Sequence, residues 1–157
     1  MIAFVPIEEL LPHRGSMLLL TSMVDADAES ATCEATPDAN AWYADTDGTM
    51  PAWIGIELMA QTIAVHVALI ARRAGRLPRP GVLLGTRAYR ADADRFPAGQ
   101  PLQVSARSTH RDAAGLGAYD CSLTDGRGRV LATAAITVYE PDDFAQFLAT
   151  QVHGEAQ

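Results

Sequence analysis

The sequence predicts an α+β domain in which one antiparallel sheet curls around one long helix. Three observations predict it. Residues 52–73 are an apolar stretch of helical length, opened by a proline and closed by a glycine and a second proline. Four segments with strand character follow, joined by short runs of turn residues. The helix is apolar nearly all round, which marks it for burial rather than for a surface. Helix and sheet then bury each other's apolar faces as two layers.

In order along the chain, residues 7–11 suggest a short helix stopped by Pro12. Residues 17–24 and 30–35 read as strands with DADAES as the turn between them, and 37–49 as a loop rich in Asp, Asn, Gly and Thr. Pro51 sits where its missing N–H costs nothing, and Gly75 and Pro78 end the helix. The later strands are 82–91, 101–111, 116–124 and 129–139, connected through RFPAGQ, DAAG and DGRG. No repeat or linker interrupts them. Residues 1–157 are therefore expected to form a single domain, with a core at about 10–140 and a short, loose C-terminal tail holding His153. An open sheet of this kind readily pairs edge to edge with a second copy.

A chain of 157 residues, 48% hydrophobic with 9 prolines, is large enough for a proper core. The opening MIAFVPIEELLPHR lacks the basic start of a signal peptide, and no uninterrupted apolar run reaches the roughly 20 residues of a membrane span. A cytoplasmic protein without a membrane anchor is expected. Cys33 and Cys121 lack CxxC spacing and neighbouring histidines, so they read as idle buried thiols, with a disulfide or metal role as the alternative. All 12 basic residues are arginine, which removes Schiff-base lysines and the phosphate-binding lysine of a Walker motif.

The net charge of −7 argues against general nucleic-acid binding, but it is unevenly spread. Between 72 and 95 lie seven arginines and two aspartates, a segment of +5 that leaves −12 elsewhere. Such a segment could dock an acidic partner, or it could be a solvated helix end and strand edge.

The most informative stretch is MPAWIGIELMAQTIAVH at 50–66, where Glu57 interrupts an apolar helix. Either the carboxylate is structural, satisfied by an arginine or by backbone, or it is a functional acid. Flanked by Trp53, Ile54, Ile56, Leu58 and Met59, it is expected to be enclosed; a carboxyl in such a pocket keeps its proton more readily, as a general acid requires. Gln61 lies one turn on, placed to hydrogen-bond the carboxyl or a ligand, or simply to pack. His66 falls on the opposite helix face and reads as packing or interface. Asp45, Asp47 and Gly48 do not fit a calcium loop, whose first and twelfth positions would be Tyr43 and Ile54, and no zinc constellation exists.

MPAWIGIELMAQ resembles the MPGVLxxExxAQ helix of the bacterial 3-hydroxyacyl-ACP dehydratases, the FabA/FabZ group with the hotdog fold. LPHRGSMLLLTSMV at 11–24 resembles that family's LPHRxPFLLVDRV opening, and GVLLGTRAYRADADRFPAGQPLQV follows its later pattern more loosely. The resemblance covers roughly 10–140 and is nearest to the ApeP-like group associated with aryl polyene pathways. It implies a hydro-lyase that takes water from a 3-hydroxyacyl thioester on acyl carrier protein and leaves the trans-2-enoyl thioester, without a cofactor or metal. It implies Glu57 as the acid, with substrate contacts from Pro51, Ala52 and Trp53 at the helix start and from Gln61. The backbone N–H at Ala52 would polarise the thioester carbonyl. Arg72, Arg73 and Arg76 would then dock the acidic carrier.

The chain departs from the family at one position. The histidine of GHFP, fourteen residues before the acid, is replaced by Tyr43, whose ordinary pKa near 10 makes it a poor base. Tyr43 reads as an aromatic lining or packing residue, or as a group that grips substrate or transfers a proton. His13, in the retained PHR motif, becomes the candidate base, although this is not the histidine the family uses; pinning the loop is its other reading. A homodimer or a heterodimer with another hotdog protein is expected. Two other functions stay open: a non-catalytic hotdog partner of an active dehydratase, and an acyl thioesterase.

Overall fold

Residues 5–154 are described by a computed structural model, with side chains over 5–151, so the first four residues and the side chain of His153 lie outside it. The elements run α1 (Ile7–Leu10), β1 (Ser22–Ala26), β2 (Ser30–Ala35), β3 (Met50–Pro51), α2 (Ile54–Arg73), β4 (Val82–Ala91), β5 (Arg95–Phe96), β6 (Leu102–Arg111), β7 (Leu116–Thr124), β8 (Val130–Tyr139) and α3 (Phe144–Gly154). Six strands form one antiparallel sheet in the order β1-β2-β6-β7-β8-β4, and β3 pairs with β5 in a separate two-residue ribbon. The expected architecture, one sheet with one long helix against it, is the observed one.

Period-two alternation decides which face of the sheet takes the helix. Ala31, Cys33 and Ala35 on β2, Val104 and Ala106 on β6, and Ala132 and Ala134 on β8 are all buried. Most of these inward side chains are small, which lets α2 lie close to the strands. α2 in turn buries Ile54, Leu58, Met59, Ile63, Val65 and Leu69. By length and mean hydropathy α2 could cross a bilayer, contrary to the reading from uninterrupted runs, yet 67% of its apolar window is buried inside the domain. It is the core helix.

Both ends of α2 are set by local chemistry. At its start the Tyr89 hydroxyl donates to the Ala52 carbonyl, and Gly55 passes beneath that phenol. A Cβ on Gly55 would collide with the Tyr89 oxygen and meet Leu123 Cδ1 at 2.9 Å. At the other end Gly75 takes φ +69°, and the N–H groups of Gly75 and Arg76 close on Arg72 O and Ala71 O at 3.1 and 2.8 Å.

The expected first strand is displaced. Residues 15–17 form a 3-10 turn, and the strand begins only at Ser22. Of the apolar run MLLL, Leu20 is fully in the core and Leu18 and Leu19 pack against it outside the sheet, while Met17 is exposed. The expected tail also contains structure: Asp143 Oδ1 accepts the Gln146 N–H at 2.9 Å as an N-cap, and Phe147 packs edge-on against Tyr139.

Replacing Gly55 by Ala should destabilise the fold by about 1–3 kcal/mol through overpacking at the helix start, measured by denaturant unfolding. A variant as stable as the wild type would mean that Tyr89 and Leu123 yield without cost.

A second expectation comes from His66, which is completely buried. Its Nδ1 lies 2.8 Å from the Tyr119 hydroxyl and its Nε2 3.2 Å from Ala28 O. Burial lowers its pKa from the ordinary 6.5, and nearby Arg111 pushes the same way. A depressed folded pKa means that the unfolded chain binds the extra proton. The contribution is therefore complete above 6.5 and lost as pH falls from there through the folded value. Unfolding free energy should drop more steeply below that point in the wild type than in His66→Gln. Parallel pH profiles would count against it.

Candidate active site

The LPHR segment is held by its arginine. The Arg14 guanidinium donates to Glu8 O at 2.7 Å, to Leu11 O at 2.5 Å and to His13 O at 2.7 Å, tying an open carbonyl of α1 to the cap and the loop that follow it. Pro12 prevents the helix from continuing. Arg14 thus pins the loop, and the His13 ring faces Glu57 on α2.

There His13 Nε2 lies 3.7 Å from Glu57 Oε1, the two candidate catalytic residues brought together from 44 positions apart. His13 Nδ1 is buried with no hydrogen-bond partner among the described residues. Gln61 completes the group: its Nε2 donates to Glu57 Oε1 at 2.9 Å and to Met17 O at 2.8 Å, while its Oε1 accepts the Leu19 N–H at 3.1 Å. The amide uses both hydrogens and its carbonyl oxygen, so its orientation is fixed by its partners. Of the carboxylate, Oε1 receives both contacts and Oε2 has no hydrogen bond among the described residues.

Glu57 is not enclosed as the sequence suggested: its side chain is 40% exposed. Its apolar neighbours in sequence point elsewhere around the helix, and Leu58 and Met59 face the sheet side. The carboxyl instead borders a cavity of about 520 Å³. The half-exposed helix positions Ala60, Ala64 and Val67 form its apolar floor. Leu10 and Leu11 belong to one wall, and Val82, Val138 and Tyr139 to the other.

The remaining sequence candidates fall outside this cavity. The Tyr43 hydroxyl accepts the Asp38 N–H at 3.0 Å, and its ring meets Trp42 edge-on, so it organises the 38–49 loop. Pro51 is buried in the β3–β5 ribbon, and the Ala52 N–H is already given to Asp94 O at 2.9 Å. Trp53, 61% exposed, stands at the head of α2 and does not line the cavity. Arg72, Arg73 and Arg76 are exposed at the C-terminal end of α2, where Arg72 pairs with Glu9 at 3.4 Å. Sequence reasoning missed Arg14, for which the adjacent helix stop was the available signal. It also missed Arg111 and Glu140, which line the cavity from strand ends and carry no motif.

Cys33 and Cys121 are buried free thiols, and burial pushes both up to about 12, so neither is a nucleophile at neutral pH. Among the described residues no group of three or more His, Cys, Asp or Glu is placed to hold a metal.

Comparison with solved structures finds the dehydratase heterocomplex ApeI:P from Xenorhabdus doucetiae, with a TM-score of 0.87 and 25% identity over 94% of this chain and 97% of that one. More distant likenesses include a hypothetical thioesterase with coenzyme A from Streptococcus pneumoniae and the E. coli PaaI protein. Each has a TM-score of 0.60 and 13% identity over 76% of this chain, covering 84% and 78% of those chains. These two share the fold alone. Comparison with curated proteins gives no match. The profile of the ApeP-like family, described as ApeP dehydratase, matches residues 5–149, and the chain belongs to that hotdog-fold dehydratase family.

Proposed function

We propose that the chain eliminates water from a 3-hydroxyacyl thioester presented by acyl carrier protein, giving the trans-2-enoyl thioester. The observation that carries this reading is the approach of His13 Nε2 to Glu57 Oε1, 3.7 Å, at one end of an apolar cavity. His13 takes the proton from the carbon next to the thioester, the electrons of that bond form the new double bond, and Glu57 protonates the departing hydroxyl. Gln61 holds the carboxyl by Oε1, which leaves Oε2 to deliver the proton. The thioester carbonyl needs a donor other than the Ala52 N–H, which is engaged with Asp94.

A second reading is favoured by the heterocomplex match: the chain works beside another hotdog subunit, which supplies or completes a site. The β4 edge, with Leu83 and Leu84 exposed, offers unpaired backbone for such a partner. Register breaks between Leu83 and Gly85 and again between Arg87 and Arg90, where Ala88 takes φ +51°, would limit regular pairing to short stretches of the strand. We place the protein in the cytoplasm, where carrier-bound acyl chains are made.

Docking of the carrier falls to Arg73 and Arg76, which form no ion pair among the described residues, with Arg72 in support beside Glu9. Arg79 and Arg95 are paired with Asp142 and Asp47, so only part of the +5 segment is free to face an acidic partner.

Glu57→Gln should lower turnover of a 3-hydroxyacyl thioester by about 100- to 10,000-fold with folding intact. More than half of wild-type turnover would make Glu57 structural. His13→Ala should abolish activity while Tyr43→Phe retains most of it; the reverse result would move the proton transfer to the phenol.

Reversing Arg73 and Arg76 to Glu should raise KM for the carrier-bound substrate and leave a small carrier-free thioester unaffected, with wild-type KM rising with salt. Equal losses on both substrates would show the arginines to be structural.

A further inference from the structure

The cavity runs from Glu57 along the apolar floor of Ala60, Ala64 and Val67, and the helical rise from position 57 to 67 is about 15 Å. Its far end lies at one edge of the sheet, where Val82 and Leu116 both pair with Tyr139. Arg111, which donates to the Tyr119 hydroxyl at 3.4 Å, and Glu140 line that end from the strands. The chain crosses here from α2 to β4, and Pro78, Arg79 and Pro80 of the crossing line the cavity. Among the described residues, Leu77, Pro78, Arg79 and Pro80 make no backbone–backbone hydrogen bond. All four are exposed, Leu77 at 87%, so no apolar side chain anchors the crossing in the core. Pro78 and Pro80 stiffen its middle, while Gly75 and Gly81 stand at its two ends, where the backbone turns most freely. Among the described residues one ion pair ties it down: Arg79 meets Asp142, which follows β8 and has a side chain 90% exposed.

We propose that residues 76–80 are a lid over the far end of the cavity, latched by Arg79 and Asp142, and that the latch sets the longest acyl chain the site accepts. This rests on the reading that the cavity takes an acyl chain with its thioester end at Glu57. A stiff segment between two pivots moves as a unit. An exposed ion pair holds it only weakly, because water and salt screen both charges. With the latch closed, Pro78 and Pro80 stop a chain that reaches past Val67. With it open, the same chain continues toward solvent. A shorter chain never meets the lid and is indifferent to the latch.

The latch can be tested without any reaction. Trypsin cuts after Arg76 but not after Arg79, which a proline follows, and the cut at Arg76–Leu77 tracks the population of the open lid. Asp142→Ala removes no tryptic site and lies outside the cavity lining; it should speed that cut by about two- to fivefold over the wild type. The ratio should shrink toward one as salt rises. Equal rates at low salt overturn the latch. Chain length is then read with 3-hydroxyacyl thioesters of increasing length on the full-length protein. For chains too long for the wild type, Asp142→Ala and Arg79→Gln should each raise kcat/KM by about two- to fivefold, and Asp142→Ala should leave short chains unchanged. The joint exchange, Arg79→Asp with Asp142→Arg, should restore the wild-type cut-off. A length profile identical in all four proteins, or one that the exchange fails to restore, overturns the proposal while leaving the dehydratase reading intact. If no chain is turned over, calorimetric binding of the same thioesters decides. A length preference that depends on the latch upholds the lid and counts against the reaction; a preference that ignores the latch, or no binding, sinks the lid.

Discussion

The amide of Gln61 is the contact on which the rest of the site depends. It is 1% exposed, on the core helix, and it joins three parts of the chain. Its bonds to Met17 O and the Leu19 N–H satisfy backbone groups in a half-buried segment that lies outside the sheet ladder. Its remaining hydrogen bond fixes the Glu57 carboxyl. One side chain therefore seats the segment that follows His13 and aims the residue that His13 faces. The buried amide is expensive alone and inexpensive fully bonded, which makes this arrangement all-or-none.

That dependence also explains what could be read from sequence and what could not. The core helix announced itself through Pro51, an apolar run and Gly75, and the later strands through alternation and turn residues, because each is a local signal with a local cause. The 17–24 segment misled because a run such as LLL buries equally well in a strand or against a helix. Only Gln61, more than forty residues away, decides between them. The β3–β5 ribbon had no signal beyond two residues on each side. The helix after Asp143 did have one, an Asp cap before FAQFL, overshadowed by its position near the end of the sequence.

At the site, residue types were legible and environments were not. Glu57 stood out because a carboxylate in an apolar run is costly, but its sequence neighbours do not surround it: on a helix they point in different directions, and the face at 57, 60, 64 and 67 is the one left open. His13 was legible as the histidine remaining in a familiar motif once Tyr43 replaced the usual one, and the geometry gives it a neighbour. Arg111, Tyr119 and His66 come from two strands and the far helix face, and nothing in their spacing links them. Networks assembled by tertiary packing leave no periodic trace.

The central claim is that one chain contributes both members of the acid–base pair. Co-expressing His13→Ala with Glu57→Gln tests it directly. If both groups of each site belong to one chain, every site in a mixed assembly keeps one defect, and turnover of a 3-hydroxyacyl thioester stays at the level of the single variants. If the histidine of one copy serves the glutamate of another, mixed dimers regain one intact site. Recovery to roughly half of the wild-type rate per mixed dimer would contradict the account.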